Sequence, residues 1–360
     1  MKNFGCCRFV YNFFLDVRKA AYDCFGMSFN YTENAADLTE LKDEYEWLRE
    51  ADSASLQQAL RHLDTAYKNF FNETARFPKY KSKRKSRFSY TTPMNNGKIT
   101  VGNGYIKLPK TGKIKAKIHR QPGDGWKILS ATVSMERDGT YYASVLYEYE
   151  PVIVPVSRPE DNAVGLDYMS DGLYQSSDGV VCGSPKYFRK SQKKLAKEQK
   201  KLSRKVGQRQ GEQQSNNFKK QSKMVNKIHR KIANQRNDFL QKESTKIANS
   251  YDLVCIEDLD MKAMSNKGFG NGKATMDNGW GMFTRMLKYK LEDRGKVLVK
   301  VDKWYPSSQL CSACGHRNHD TKDLAITKWV CPHCGTYHDR NENAAYNILG
   351  EGLRVLQKGA

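Results

Sequence analysis

Cys311-Ser-Ala-Cys314, sixteen intervening residues, Cys331-Pro-His-Cys334 and then Asp339-Arg-Asn-Glu-Asn-Ala-Ala345 form the stretch from which the rest of the chain can be read. Two Cys-x-x-Cys pairs can bring four thiolates onto one tetrahedral ion, because each pair makes a tight turn that presents two sulfurs. Gly315 and Gly335 follow the second cysteine of each pair, where such a turn needs a residue tolerant of positive φ. The expectation is a structural Zn²⁺ held by Cys311, Cys314, Cys331 and Cys334. Two disulfides or redox pairs are the alternative, but no basic-then-apolar leader opens the chain and the other five cysteines are scattered. His316, His319, His333 and His338 lie close in sequence, yet four well-spaced cysteines leave them no vacancy. A closed site of this kind holds a fold together and does no chemistry.

At 360 residues the chain has room for two or three modules with cores of their own. No stretch approaches eighteen apolar residues, which excludes a membrane-spanning helix. The formal charge is +22, and much of it lies in one segment: Lys186 to Arg236 holds eighteen Lys and Arg against Glu198 and Glu212, a local balance of +16. Such a density of cations fits a polyanion, because neutralising phosphates releases condensed counterions. A basic membrane-surface helix fits less well, since large apolar residues are sparse on its other face.

The organisation is mosaic, with no internal repeat. Residues 4–25 place Cys7, Val10, Phe14, Val17 and Ala21 at helical spacing, and residues 53–72 repeat the pattern with Leu56, Leu60, Leu63, Tyr67 and Phe70, with Ser53 as the expected N-cap. Between Arg76 and Arg120, basic residues interleave with aromatics and β-prone runs broken by Gly and Pro. Strands are expected at 126–135 and 140–149 around the turn Arg137-Asp-Gly139, giving a small basic β-barrel.

Ala163-Val-Gly-Leu-Asp167-Tyr reads as an apolar strand carrying one carboxylate, and Asp252-Leu-Val-Cys-Ile-Glu257 as another that ends in one. A carboxylate in a buried strand is costly unless a metal or hydrogen bonds satisfy it. Two strands delivering acids towards one point suggest a divalent-metal site of the kind phosphodiester cleavage needs. Asp258 and Asp260 are the solvated neighbours.

The ordered set Gly165-Leu-Asp167, long basic helices, Ile256-Glu257-Asp258-Leu259, Ser307-Ser-Gln-Leu-Cys-Ser-Ala-Cys-Gly315, Cys331-Pro-His-Cys-Gly335 and Asn343-Ala-Ala resembles the transposon-encoded TnpB (OrfB) family, kin of the compact type V CRISPR effectors. Phe4-Gly-Cys-Cys-Arg-Phe-Val-Tyr-Asn12 resembles that family's first recognition helix. The resemblance implies an α+β multidomain chain: a helical recognition domain at 1–75, a basic β-barrel (wedge) domain at 76–160, and a RuvC-like, RNase H-type nuclease domain at 161–306 with long basic helices at 186–249. A zinc ribbon at 307–338 and a final RuvC helix at 339–360 complete it. It further implies an RNA-guided, Mg²⁺-dependent DNA endonuclease of a mobile element, partnered by guide RNA and target DNA. The protein would be a monomer within its ribonucleoprotein, in the nucleoid-containing cytoplasm of a prokaryote. Asp167 and Glu257 match the first and second RuvC acids, which would bind Mg²⁺ and orient the attacking water.

Two positions depart from that family's pattern. The ending there reads Asp-Arg-Asp-x-Asn-Ala-Ala, and its second Asp, the metal ligand, corresponds to Asn341 here. An amide oxygen coordinates Mg²⁺ without adding negative charge, so a second ion would be held less well. Asp339 is the rescue candidate for third catalytic ligand; its other reading is an N-cap forming a capping box with Glu342 ahead of a helix over 340–356. At the front, a strand and a Pro-containing segment precede the first helix in the family, whereas here the helix begins almost at Met1. That implies a misplaced start or a barrel lacking an edge strand.

Asn341 therefore opens a second function, a nuclease-impaired RNA-guided DNA binder acting like a repressor. A basic nucleic-acid-binding protein with a zinc ribbon and no catalysis is a third, and Glu257 argues against it. The glycine-rich run Ser265–Gly281 reads as a lid or a linker. Trp304, Tyr305 and Trp329 flank the ribbon and are expected chiefly to pack on it, with base stacking as the other use.

Overall fold

The computed structural model describes residues 1–84, 86–95, 97–150, 152–206, 215–266 and 272–359. The chain divides into two compact units, Met1–Glu150 and Pro151–Ala360.

The first unit opens with α1 (Lys2–Phe25), α2 (Tyr31–Glu44) and α3 (Ser53–Phe71). Apolar residues three and four apart turn one face of each helix inward, and Val10, Phe14, Leu15, Leu38, Leu48, Leu56, Leu60 and Leu63 form the resulting core. Val17 is only half-buried, while the next residue, Arg18, is buried and spans Asn34 (2.6 Å) and Asp64 (3.3 Å). The N-cap of α3 is Asp52 rather than Ser53. Its extended backbone lets the carboxylate accept from Ser55 N at 3.1 Å, and the Thr92 hydroxyl also donates to it at 2.6 Å.

Where a barrel was expected, the described residues form two three-stranded antiparallel sheets. One has the order β1 (Phe88–Pro93), β5 (Lys127–Met135), β6 (Tyr141–Glu148), the other β2 (Thr100–Gly102), β3 (Tyr105–Leu108), β4 (Gly112–Lys115). Ile99, Ile106, Leu108 and Ala131 make one core from residues of both. The turn between β5 and β6 carries Gly139 at φ 88°, as its sequence requires.

The second unit is built on a five-stranded sheet. Its order is β11 (Val297–Val301), β10 (Leu253–Glu257), β7 (Ala163–Tyr168), β8 (Gly172–Ser176), β9 (Val181–Gly183). β11, β10 and β7 run parallel, and β8 and β9 form an antiparallel extension. The basic helices are α4 (Tyr187–Ser203) and α5 (Asn216–Ser250); α4 buries only Leu195, so its cations are left to the surface. α5 and α8 (Trp280–Glu292) cover one face of the sheet through Leu240, Ile247, Trp280, Phe283 and Leu287. The opposite face is covered by α9 (Arg340–Gly359), with Ile348 seated among Leu253, Cys255, Val299 and Val301.

The glycine-rich lid is replaced in part by helices. α6 (Met261–Met264) precedes it, residues 267–271, including Gly268 and Gly270, lie outside the described residues, and α7 (Gly272–Asn278) runs straight into α8. Asp277 accepts from Phe188 N at 3.0 Å and Arg189 N at 3.3 Å, capping α4, while Asn278 donates to Ser170 O at 2.9 Å. Gly279 adopts φ 71° as N-cap of α8, with a Leu240 methyl 3.0 Å from where a Cβ would stand. Here glycine serves close packing.

α9 crosses β7 at Gly165. A Cβ there would lie 2.2 Å from the Ala345 carbonyl oxygen and 2.8 Å from Leu349 N, both backbone atoms that cannot yield without moving the helix. Gly165→Ala is therefore expected to cost about 3 kcal/mol and to lower the melting temperature by roughly 6–12 °C. A melting curve that overlays the wild type would refute so close a crossing.

Candidate active site and metal centre

β7 and β10 share a parallel register in which Ile256 stands opposite Leu166, so Asp167 and Glu257 are the next pair, on strands about 4.8 Å apart. Val164, Leu166, Val254 and Ile256 pack towards α5 and α8, whereas Leu253 and Cys255 pack towards α9. Alternation along the strands then puts both carboxylates on the α9 face.

Each acid is held against the solvent's preference. Burial and the neighbouring Glu257 push Asp167 well above the usual carboxylate range, and the Arg340 guanidinium at the start of α9 partly offsets them. Burial also raises Glu257, opposed by the Ser307 hydroxyl, which donates to its Oε1. Across the ladder from Asp167 stands Gln175, itself buried. Ser307, Arg340 and Gln175 were not singled out from the sequence. Their roles come from tertiary contacts, although Ser307 and Arg340 stand within the stretches Ser307–Gly315 and Asp339–Ala345.

The third candidate behaves differently. Asp339 ends β13 (Tyr337–Asp339), and its Oδ1 accepts from Asn341 N at 3.1 Å and Glu342 N at 3.4 Å, which makes it the cap of α9. Among the described residues, the only group of three or more His, Cys, Asp or Glu whose ligand atoms all lie within 4.8 Å of one another is the cysteine set. Asp339 is thus not drawn together with Asp167 and Glu257.

In the ribbon, β12 (Lys328–Val330) pairs with β13, and the two Cys-x-x-Cys turns face each other. Gly315 N donates to Cys311 O at 2.8 Å and Gly335 N to Cys331 O at 2.9 Å, and both glycines take positive φ, 74° and 73°. The sulfurs approach to 3.6 Å (Cys311–Cys334) and 3.7 Å (Cys314–Cys331) with no disulfide. Four ligands about 2.3 Å from a central ion at tetrahedral angles stand about 3.8 Å apart, so the cluster fits a metal such as zinc. Hydrogen bonds from Thr336 lower the Cys334 thiol, whereas Cys311 and Cys314 beside it are raised, so without an ion the cluster does not hold four thiolates together. His338 is not needed as a ligand: its Nε2 lies 3.0 Å from Cys311 Sγ, and its ring packs 4.6 Å from that of Trp329.

Two amides stitch this ribbon to α9. Asn343 accepts from Ser312 N at 2.9 Å and donates to Leu310 O at 2.7 Å, and Asn347 donates to Ser307 O at 2.8 Å and Leu310 O at 2.7 Å. The segment that delivers the Ser307 hydroxyl to Glu257 is therefore pinned by α9 as well.

Comparisons with known proteins match this arrangement along the whole chain. A family described as a helix-turn-helix domain matches residues 1–27, one described as "Probable transposase" matches 144–267, and one described as the Cas12f1-like TNB domain matches 280–348. A Streptomyces pristinaespiralis protein named "Putative RNA-guided DNA endonuclease" is 37% identical over 361 residues, covering 99% of this chain and 86% of its own. InsQ of Escherichia coli K12, named likewise, is 35% identical over 371 residues, covering 99% of this chain and 89% of its own. Among solved structures, Cas12f1 in a complex with sgRNA and target DNA aligns with a TM-score of 0.59 at 14% identity, covering 96% of this chain and 81% of that one, a likeness of fold.

Proposed function

The chain belongs to the TnpB (OrfB) family, and from that premise we propose that it is an RNA-guided DNA endonuclease of a mobile element, cutting at the Asp167–Glu257 centre. The observation that carries this reading is the pair itself: two desolvated carboxylates, in register on parallel strands and on one face of the sheet. The five-stranded order, three parallel strands with an antiparallel hairpin beyond, supports a RuvC-like, RNase H-type domain.

The donor set fits a divalent cation, since two like charges forced together out of water are stabilised by an ion between them. Asp167 and Glu257 would hold Mg²⁺, which when bound polarises the scissile phosphate and acidifies water. Ser307 occupies Oε1 of Glu257 and fixes the carboxylate's orientation. Arg340 adds positive charge beside Asp167. Asn341 brings an amide to the position of the family's third acid, and Asp339 stays committed to its cap.

In this reading the cysteine cluster holds structural Zn²⁺, the helices of the first unit form a recognition lobe, and its two sheets form the wedge. The cations of α4 and α5 lie along a guide RNA–target DNA heteroduplex. Its setting would be a prokaryotic cytoplasm, as a monomer with its RNA; among the described residues no helix is long and apolar enough to cross a membrane.

A second reading, the nuclease-impaired binder, draws on Asn341 and the capping role of Asp339. The protein purified with co-expressed RNA and given a matching duplex in Mg²⁺ separates the two. Cutting by the wild type is expected, with Asn341→Asp about tenfold faster at sub-saturating Mg²⁺, the equivalent of about 1.4 kcal/mol. Binding without cutting by the wild type, together with cutting by Asn341→Asp, would hand the case to the binder.

A further inference from the structure

We infer that Trp304 is a stacking platform for one base of the single-stranded DNA that enters the Asp167–Glu257 centre; this rests on the nuclease reading of that centre. The geometry starts from β11, whose Val301 stands opposite Glu257 in the parallel register. From there the chain leaves the sheet, turns and comes back. Trp304 N donates to the Asp302 carboxylate at 2.7 Å, Tyr305 N to Asp302 O at 3.0 Å, and Ser307 N to Tyr305 O at 2.8 Å, after which the Ser307 hydroxyl reaches Glu257. Both feet of this arch stand on the same acid, and Trp304 sits near its top.

The indole is 80% exposed, against 2% for Trp280 and 7% for Trp329 in the same unit. The expectation that it packs on the ribbon fails for Trp304 and holds for Trp329, which lies in the ribbon core with Cys311 and Cys331. Tyr305, the next residue, is half-buried against the α9-side core. An aromatic ring of this size covers about 150–250 Å² when it finds a partner, and within the arch itself it finds only Lys303, whose Nζ lies 5.1 Å from the ring centroid. A flat apolar face with an ammonium beside it matches a nucleotide, the base on the ring and the phosphate on the lysine. A single strand led to the carboxylate pair has unpaired bases, which are free to stack on an exposed ring.

The test uses the full chain with its co-purified RNA in an Asp167→Ala background, which prevents turnover. A single-stranded oligodeoxynucleotide is titrated in while tryptophan emission is followed. Quenching is expected with Trp304 present and lost in Trp304→Ala, with affinity about tenfold weaker and restored by Trp304→Tyr. A scan of the oligonucleotide with abasic sites should find one position whose base loss weakens the Trp304 protein and leaves Trp304→Ala unchanged. Equal quenching and affinity in all three proteins would overturn the inference, as would a loss that ignores whether the base is present, which would assign the contact to phosphate alone. Failure of the nuclease reading shows separately, as a wild-type protein that cuts no DNA in Mg²⁺ while Trp304-dependent quenching persists.

Discussion

Replacing Asp167 with alanine, or Glu257 with glutamine, is expected to lower DNA cleavage by at least about 10³-fold, since losing metal-ion stabilisation of the transition state removes about 4 kcal/mol or more at ~1.4 kcal/mol per decade. RNA and DNA binding should change little, because in the proposed reading the cations spread over α4 and α5, and not the acid pair, supply most of the attraction. A falling-apart of the sheet would produce the same loss of cutting, so stability must be read alongside. Asp167 and Glu257 have raised pKa values, which means the folded chain binds their protons more readily than the unfolded chain does. Without metal, the pair therefore subtracts stability as pH rises through the carboxylate range, and subtracts none below the unfolded value of about 4. It follows that metal-free Asp167→Asn should melt no lower than the wild type at pH 7, with any difference shrinking as pH falls towards about 4 and gone below it. Residual cutting within tenfold of wild type in either variant would move the chemistry elsewhere.

Removing the metal proposed for the ribbon should be as damaging by a different route. Structural zinc contributes an apparent ~10–16 kcal/mol to small zinc domains, more than a short two-stranded hairpin can replace by packing. In Cys331→Ser, at a buried member of the cysteine cluster, elemental analysis is expected to find no zinc where the wild type should give about one per chain, and residues around β12 and β13 are expected to unfold. The loss then spreads. Asn343 and Asn347 surrender Ser312 and Leu310, the grip on Ser307 loosens, and Glu257 loses the hydroxyl that orients it. Cleavage should fall with zinc content in a chelator titration even at saturating Mg²⁺. A zinc-free protein that still melts and cuts as the wild type does would sink this account.

The sequence was informative where local chemistry is decisive. Four cysteines with two trailing glycines specify two tight turns without help from the rest of the fold, and the described turns carry the expected positive φ and bring the four sulfurs together. The two carboxylates in apolar strands were legible for the same reason, since a charge in such company needs a purpose. Ser307, Arg340 and Gln175 were hidden because each acts through a partner far along the chain, fifty residues away for Ser307 and Glu257. The glycine-rich run misled because composition cannot distinguish glycine that frees a backbone from glycine that lets it pack. Gly279 belongs to the second kind, and Asp277 and Asn278 lock the helix before it. Asp339 could be read as ligand or cap from its surroundings, and its hydrogen bonds follow the capping pattern. Ser53 lost its cap to Asp52, a shift of one residue that periodicity does not resolve.

The shared register of β7 and β10 also bears on how such a chain tolerates change over generations. The two acids face each other because backbone hydrogen bonds align their strands, and the side chains between them contribute only bulk. Except at Gly165, where α9 leaves no room for a Cβ, substitutions that preserve apolar character on those strands leave the pair in register, while a single insertion or deletion within either strand would turn one carboxylate into the opposite core. Lineages should therefore drift in residue identity at the strand positions other than Gly165 and the two acids and vary in length at the loops, yet keep both strands free of gaps.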